Sequence, residues 1–118
     1  MGVSEPLVQS ILLGDAVEHA PVGILVADDE MRYVAVNHYA CELLGYTREE
    51  LLEKRITDIA RYPEAPEEFR EMVAKGELEG VTTLVRADGT ELTLRYRAKE
   101  TTMGGLAYYV AVCWPEQT

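Results

Sequence analysis

The side chains that could do chemistry are few and scattered. Cys41 and Cys113 stand far apart and form neither a CxxC motif nor a metal-ligand spacing. They fit a reducing compartment, as thiols packed like small apolar groups, although a disulfide between them stays open in principle. The two histidines are isolated as well. His19 falls where a helix would end and reads as an exposed cation at its negative pole. His38 follows Asn37, a helix-capping residue type, and is expected to face solvent. Nucleophilic catalysis needs a base beside the nucleophile, and acid–base catalysis needs paired groups at a pocket wall. The sequence offers no Ser/His/Asp constellation and no paired carboxylates against an apolar stretch. Asp58 is the acid nearest such a stretch, and capping is its expected role. Tyrosine is frequent, at 33, 39, 46, 62, 96, 108 and 109. Buried tyrosines need hydrogen-bond partners, so several are expected at the edges of a core.

The elements that must carry these residues belong to one domain, because 118 residues leave no room for a second. Apolar residues make up 47%, enough to build a core without disulfides or metal. The formal net charge of -10 repels phosphate backbones and anionic lipid, which argues against nucleic acid or membrane as the main partner. The acids are unevenly placed, since residues 1–30 contain no Lys or Arg. No stretch approaches the roughly 20 apolar residues of a membrane span, and the N-terminus does not read as a signal peptide. The expectation is a soluble, cytoplasmic protein, or a soluble piece of a larger one.

Ser4, Glu5 and Pro6 make a good helix start, and Leu7, Val8, Ile11, Leu12 and Val17 follow at helical spacing. Leu13 and Ala16 widen the stripe, and Ala20-Pro21 stops it. The run 23–27 reads as a buried strand, residues 28–30 as a turn, and 33–36 as the returning strand. Asn37 caps a short helix that Gly45 ends. Thr47 to Glu50 has the spacing of a capping box and opens a second short helix. Ile56 and Ile59 follow in a compact segment, 62–66 reads as a loop and 67–75 as a helix. The rest is β: strands at 81–86, 92–98 and 106–114, joined by Asp88-Gly89 and Gly104-Gly105.

The strands at 24–27 and 106–114 are apolar on both faces, whereas 92–98 is apolar on one. The first and last strands should therefore lie centrally and pair with each other. Something must cover the second face of the sheet. The N-terminal segment is the spare apolar element, folded back on its own chain or supplied by a partner.

This order resembles a PAS domain. The residues carrying the resemblance run from Ala20-Pro21-Val22-Gly23-Ile24 into the first strand, then Tyr33-Val34-Ala35-Val36-Asn37, Ala40-Cys41-Glu42-Leu43-Leu44-Gly45-Tyr46, Thr47-Arg48-Glu49-Glu50-Leu51 and the Asp88-Gly89 hairpin. The resemblance implies an α+β fold. Its core is a five-stranded antiparallel sheet, with short helices and one longer helix on one face and an amphipathic N-terminal helix added. The expected organisation is a capping or dimerising helix at 1–20, the PAS domain at 21–115 and a tail at 116–118. Two departures stand out. Cys113-Trp114-Pro115-Glu116 replaces the Asp-Ile-Thr ending of many members, and the first hairpin turn lacks the usual glycine.

The resemblance also implies a sensory or signalling module rather than an enzyme. It would regulate a kinase, a cyclase or a transcription factor. The expected pocket between sheet and helices is walled by Val36, Ala40, Leu44, Ile56, Ile59, Phe69, Met72, Val73, Tyr96 and Tyr108, with Leu92 and Leu94 beside them. Polar groups would come from the tyrosines, Thr82, Thr83 or Arg61. Such a wall suits a small, largely apolar ligand. It equally suits a filled core, in which case the domain is purely an interaction module. The cofactor is open. The Asn-Cys-Arg-Phe-Leu-Gln run of covalent flavin members is missing, and helix 67–75 has no histidine for haem iron. Non-covalent flavin and a small isomerase or thioesterase remain as rivals. A homodimer through Leu7, Val8, Ile11 and Leu12 is the expected partner arrangement.

Overall fold

The structure, a computed structural model, describes residues 5–61 and 65–116. Helix α1 (Pro6–Glu18) begins with proline in its first turn, where a missing N–H costs nothing. The Ser4 cap expected for it lies outside the described residues. Strands β1 (Gly23–Ala27) and β2 (Tyr33–Val36) form the first hairpin. Three short helices follow, α2 (His38–Leu44), α3 (Arg48–Leu51) and α4 (Ile56–Ile59), and then α5 (Ala65–Lys75). Strands β3 (Glu77–Val85), β4 (Glu91–Met103) and β5 (Leu106–Pro115) complete an antiparallel sheet of order β2-β1-β5-β4-β3.

The caps follow the side chains. The Asn37 side chain accepts from the Ala40 N–H to start α2, and Gly45 ends it at φ 78°. Thr47 and Glu50 exchange hydrogen bonds as a capping box. Asp58 Oδ2 accepts from the Arg55 N–H at 2.8 Å, a local capping role. In the first hairpin Met31 takes the left-handed conformation at φ 64°, which glycine would adopt without strain.

Strand β5 lies at the centre, paired with β1 from Gly23↔Cys113 to Ala27↔Tyr109 and with β4 along its whole length. The inner face carries Leu25, Ala27, Leu94, Ala98, Tyr109 and Cys113, all buried. Against it pack Ala40, Leu44, Leu51 and Ile59 from the short helices. Strand β3 begins four residues earlier than the pattern suggested, because Glu77-Leu78-Glu79-Gly80 alternates around a glycine. There the ring of Tyr96 leans over Gly80, whose missing Cβ would stand 3.3 Å from the tyrosine hydroxyl.

Helix α1 differs from the expected amphipathic stripe. Its apolar residues are spread around the whole circumference, and none of its side chains is buried. Each residue turns the helix by about 100°. Adding Leu13 and Ala16 to the Leu7, Val8, Ile11, Leu12 and Val17 set therefore closes the circle instead of widening one side. Its last turn meets the outer face of β1 and β2, where Gly14, Val17, Glu18, Ile24, Val26 and Ala35 line a groove of about 230 Å³.

Candidate functional site

The inner sheet face and the α4 segment line a half-open cavity of about 120 Å³. Among the described residues its floor comes from all five strands. These are Leu25 and Ala27 of β1, Tyr33 of β2, Leu78, Thr82 and Leu84 of β3, Leu94, Tyr96 and Ala98 of β4, and Tyr109, Ala111 and Cys113 of β5. Ile56 and Ala60, at the two ends of α4, close one side. The lining is almost entirely hydrocarbon. Its polar atoms are the hydroxyls of Tyr33, Tyr96, Tyr109 and Thr82 and the thiol of Cys113.

None of these groups carries charge near neutral pH. Burial pushes the Cys113 thiol up to about 12, so it stays protonated and unreactive. Burial also raises the Tyr33 phenol, with the nearby Cys113 and Asp58 adding to the effect. The Tyr109 phenol is raised chiefly by burial too. Cys41, on α2 and half-buried, is likewise held above the ordinary thiol range, first by burial. Both cysteines are free thiols. Among the described residues no three His, Cys, Asp or Glu side chains gather as a metal site would require.

The expected pocket residues divide. Ile56 and Tyr96 line the cavity, as does Leu94. Val36, Ala40, Leu44 and Ile59 are buried, but they form the close-packed layer between helices and sheet and do not reach the cavity wall. Ala40 in particular is pressed against β1, because a Cβ on Gly23 would sit 3.6 Å from its Cα. Val73 is 46% exposed on α5, facing away from the core. The side chains of Phe69 and Met72 lie outside the described residues. Tyr108 points to the outer face, and its neighbour Tyr109 takes the inner position opposite Ala27. Strand β5 is apolar on both faces, so alternation alone could not fix which parity points inward.

Polar candidates shift too. Thr82 lines the cavity, while Thr83 is on the outer face with its hydroxyl 3.2 Å from that of Thr93. Arg61 pairs with Glu91 at 2.7 Å on the surface. His38 is exposed and pairs with Glu42 at 2.7 Å. Of the helix residues expected at an interface, Leu7 is 63%, Ile11 56% and Leu12 50% exposed, with Val8 half-buried.

Sequence reasoning missed Tyr33. The β1–β2 register shifts between Val26 and Ala27, and this irregularity turns Tyr33 inward opposite Ala27. Simple alternation from Val36 would have placed it on the outer face.

A second polar node joins the cavity layer to α1. Asn37 is 4% exposed and makes four side-chain hydrogen bonds. Its Oδ1 accepts from Ile24 N at 2.9 Å and Ala40 N at 3.1 Å. Its Nδ2 donates to Val17 O at 2.8 Å and Val22 O at 3.0 Å. Beside it, the Arg48 guanidinium donates to Glu18 Oε2 at 2.7 Å and to Val36 O at 3.2 Å. Glu18 also accepts from the His38 N–H at 2.9 Å. The Arg48 hydrogen bond holds the Glu18 carboxyl below its ordinary pKa.

The comparisons agree with this architecture. The chain is similar to a PAS domain from a two-component sensor histidine kinase at 15% identity, covering 95% of this chain and 100% of that one with a TM-score of 0.85. It is similar at 26% identity to a domain of a sensory box sensor histidine kinase/response regulator from Geobacter sulfurreducens, covering 95% and 98% with a TM-score of 0.81. A third likeness is the PAS domain, in complex with ethanol, of a LuxR-family transcriptional regulator from Burkholderia thailandensis. That one is 18% identical, covers 86% and 95% of the two chains, and has a TM-score of 0.71. Among curated proteins no sequence matches. The family model described as PAS domain matches residues 21–113, which is most of the chain. A sheet of order β2-β1-β5-β4-β3, a cavity on its inner face and that family match lead to one conclusion: the chain belongs to the PAS domain family of sensory and signalling modules.

Proposed function

We propose that this PAS domain is a non-enzymatic input module that binds a small, largely apolar ligand and dimerises to regulate a kinase, cyclase or transcription-factor output. The carrying observation is the inner-face cavity of about 120 Å³, walled by hydrocarbon with a few neutral polar atoms. Pockets for drug-sized ligands run to about 300–1,000 Å³, so this one suits a much smaller molecule. The ethanol held by the Burkholderia thailandensis relative and the histidine-kinase setting of other relatives support the same reading.

The coupling route follows from the Asn37 node. A ligand that shifts the helix layer against the sheet acts on α2, whose first turn is fixed to Asn37, and Asn37 also holds the last turn of α1. A ligand that binds one packing better than another shifts the population between them. Helix α1 would then pair with a second copy and pass the shift to the neighbouring segment. Among the described residues no helix is long and apolar enough to cross a membrane.

Native mass spectrometry of the purified protein, followed by denaturation, tests this. A dimer carrying a small extra mass that leaves on denaturation is the expected result. A dimer of bare chains would favour an interaction module with a filled core, a yellow adduct of flavin mass would favour a redox or light sensor, and a bare monomer would refute the α1 interface.

A further inference from the structure

None of the α1 side chains is buried, and bonds that tie the helix to the domain gather at its last turn. Asn37 Nδ2 donates to Val17 O at 2.8 Å, the His38 N–H to Glu18 Oε1 at 2.9 Å, and Arg48 Nη2 to both Glu18 oxygens. Arg48 also donates from Nε to Val36 O at the end of β2, so its guanidinium bridges the helix and the sheet. Ahead of this clamp α1 stands off the sheet. A Cβ on Gly14 would meet nothing beyond its own helix within 4 Å, although Gly14 lines one side of the groove of about 230 Å³ and Ile24, Val26 and Ala35 line the other. We propose that the Glu18–Arg48 pair is a latch that props α1 away from the outer sheet face, and that its release lets α1 close over Ile24, Val26 and Ala35 as a strap.

Both sides of the groove are apolar and open to water. Ile24 and Val26 are half-buried and Ala35 is exposed. Leu7, Ile11, Gly14 and Glu18 recur at spacings of four, three and four, so they share the side of α1 that faces the groove. Leu7 and Ile11 are both exposed there. Bringing the two surfaces together removes apolar area from water, which is favourable, and the missing side chain at Gly14 leaves room for the backbones to approach. The latch that opposes this is weak. The Glu18 and Arg48 side chains are 35% and 43% exposed, and an ion pair so open to water holds by little. A weak polar bond set against a modest apolar gain is what a two-state element needs. Closure turns Leu7 and Ile11 to the sheet and takes them from a second copy, so the latched form is the one able to pair. None of this depends on what the inner cavity holds.

The test traps the strap. Ile11 and Ala35 are each replaced by cysteine in a Cys41→Ser background, with Cys113 buried and held as an unreactive thiol, and mild oxidation is followed on non-reducing gels. A disulfide within one chain reports closure, and one between chains runs as a covalent dimer. Glu18→Ala, a change at the helix surface, should raise the rate of the intrachain bond about two- to fivefold, the range an exposed ion pair commands. Arg48→Ala should match it. Salt at about 1 M, where the Debye length falls to about 3 Å, should bring the latched protein to the rate of Glu18→Ala and leave that variant unchanged. Equal rates with and without Glu18 would overturn the latch. A bond formed mainly between chains would overturn the strap and assign α1 to a second copy in both states. Absence of any intrachain bond in Glu18→Ala would overturn closure itself.

Discussion

Replacing Asn37 by alanine should cost far more than the loss of a helix cap. The Oδ1 acceptor serves Ala40 N, which is the cap proper, at about 1 kcal/mol. It also serves Ile24 N on β1, a donor between strand and helix that would be left unpaired at about 1–3 kcal/mol. The Nδ2 donor serves Val17 O and Val22 O. Val17 O keeps a second partner in Ala20 N at 3.3 Å, so its loss is partly covered, whereas Val22 O loses about another 1 kcal/mol. The expected total is about 3–5 kcal/mol, or about 10–25 °C in melting temperature for a domain of this length. Thr47→Ala supplies the control. Thr47 caps α3 on the surface through one bond, Oγ1 to Glu50 N at 3.1 Å, and its removal should cost about 1 kcal/mol. Urea titrations of the two variants, followed by circular dichroism, give the comparison. A ratio of about three to five supports the node. Equal losses would show that Asn37 is only a cap and that β1 and α1 do not depend on it.

Three further outcomes follow from the same structure. Gly23→Ala would place a Cβ 2.7 Å from the Cys113 Sγ, so it should destabilise by about 1–3 kcal/mol, and adding Cys113→Ala should recover most of that loss in a denaturation cycle. The folded-state pKa of Glu18 lies below its ordinary value of 4.5, so the Glu18–Arg48 contribution is present above that pH and is lost as pH falls through the folded pKa. Glu18→Gln should flatten this acid limb when urea midpoints are compared across about pH 3–6, and an unchanged slope would refute the assignment. Leu12→Glu should convert the proposed dimer to monomer by sedimentation without lowering the melting temperature of the monomeric fold, because Leu12 is 50% exposed. A variant that remains dimeric would place the interface elsewhere.

Local chemistry made much of the fold legible in the sequence. Asn37, Gly45, Thr47 and Asp88-Gly89 each require one backbone solution, and they mark the turns and caps that order the elements. The strand at Leu92–Ala98 declares its inner face by strict alternation. The candidate site was less legible because its floor lies on strands with two apolar faces. Nothing in Leu106–Trp114 distinguishes Tyr109 from Tyr108 until the pairing with Ala27 fixes the register. Tyr33 is turned inward by a bulge, which depends on the partner strand and not on the residues of β2 themselves. Ala40 and Leu44 fit a pocket wall and a filled core equally, because a buried helix face and a cavity wall share one pattern. The close approach of Gly23 marks Ala40 as packed against β1.

The pairing of β1 with β5 has a consequence for how the molecule assembles. Strands β3, β4 and β5 are joined by tight hairpins and need only local contacts, whereas Gly23 must find Cys113 across nearly the whole chain. Loop closure over such a separation is entropically costly, and contacts of this kind slow folding. The seam is therefore expected to close late, onto a meander already formed. The cavity draws Leu25, Ala27 and Tyr33 from one side of that seam and Leu94, Tyr109 and Cys113 from the other, so it does not exist until the seam is shut. Any molecule it holds selects the closed form alone and adds to its stability by mass action. Occupancy would thus be reported first in the rate at which β1 peels away from β5, a quantity that hydrogen exchange along the two strands measures directly.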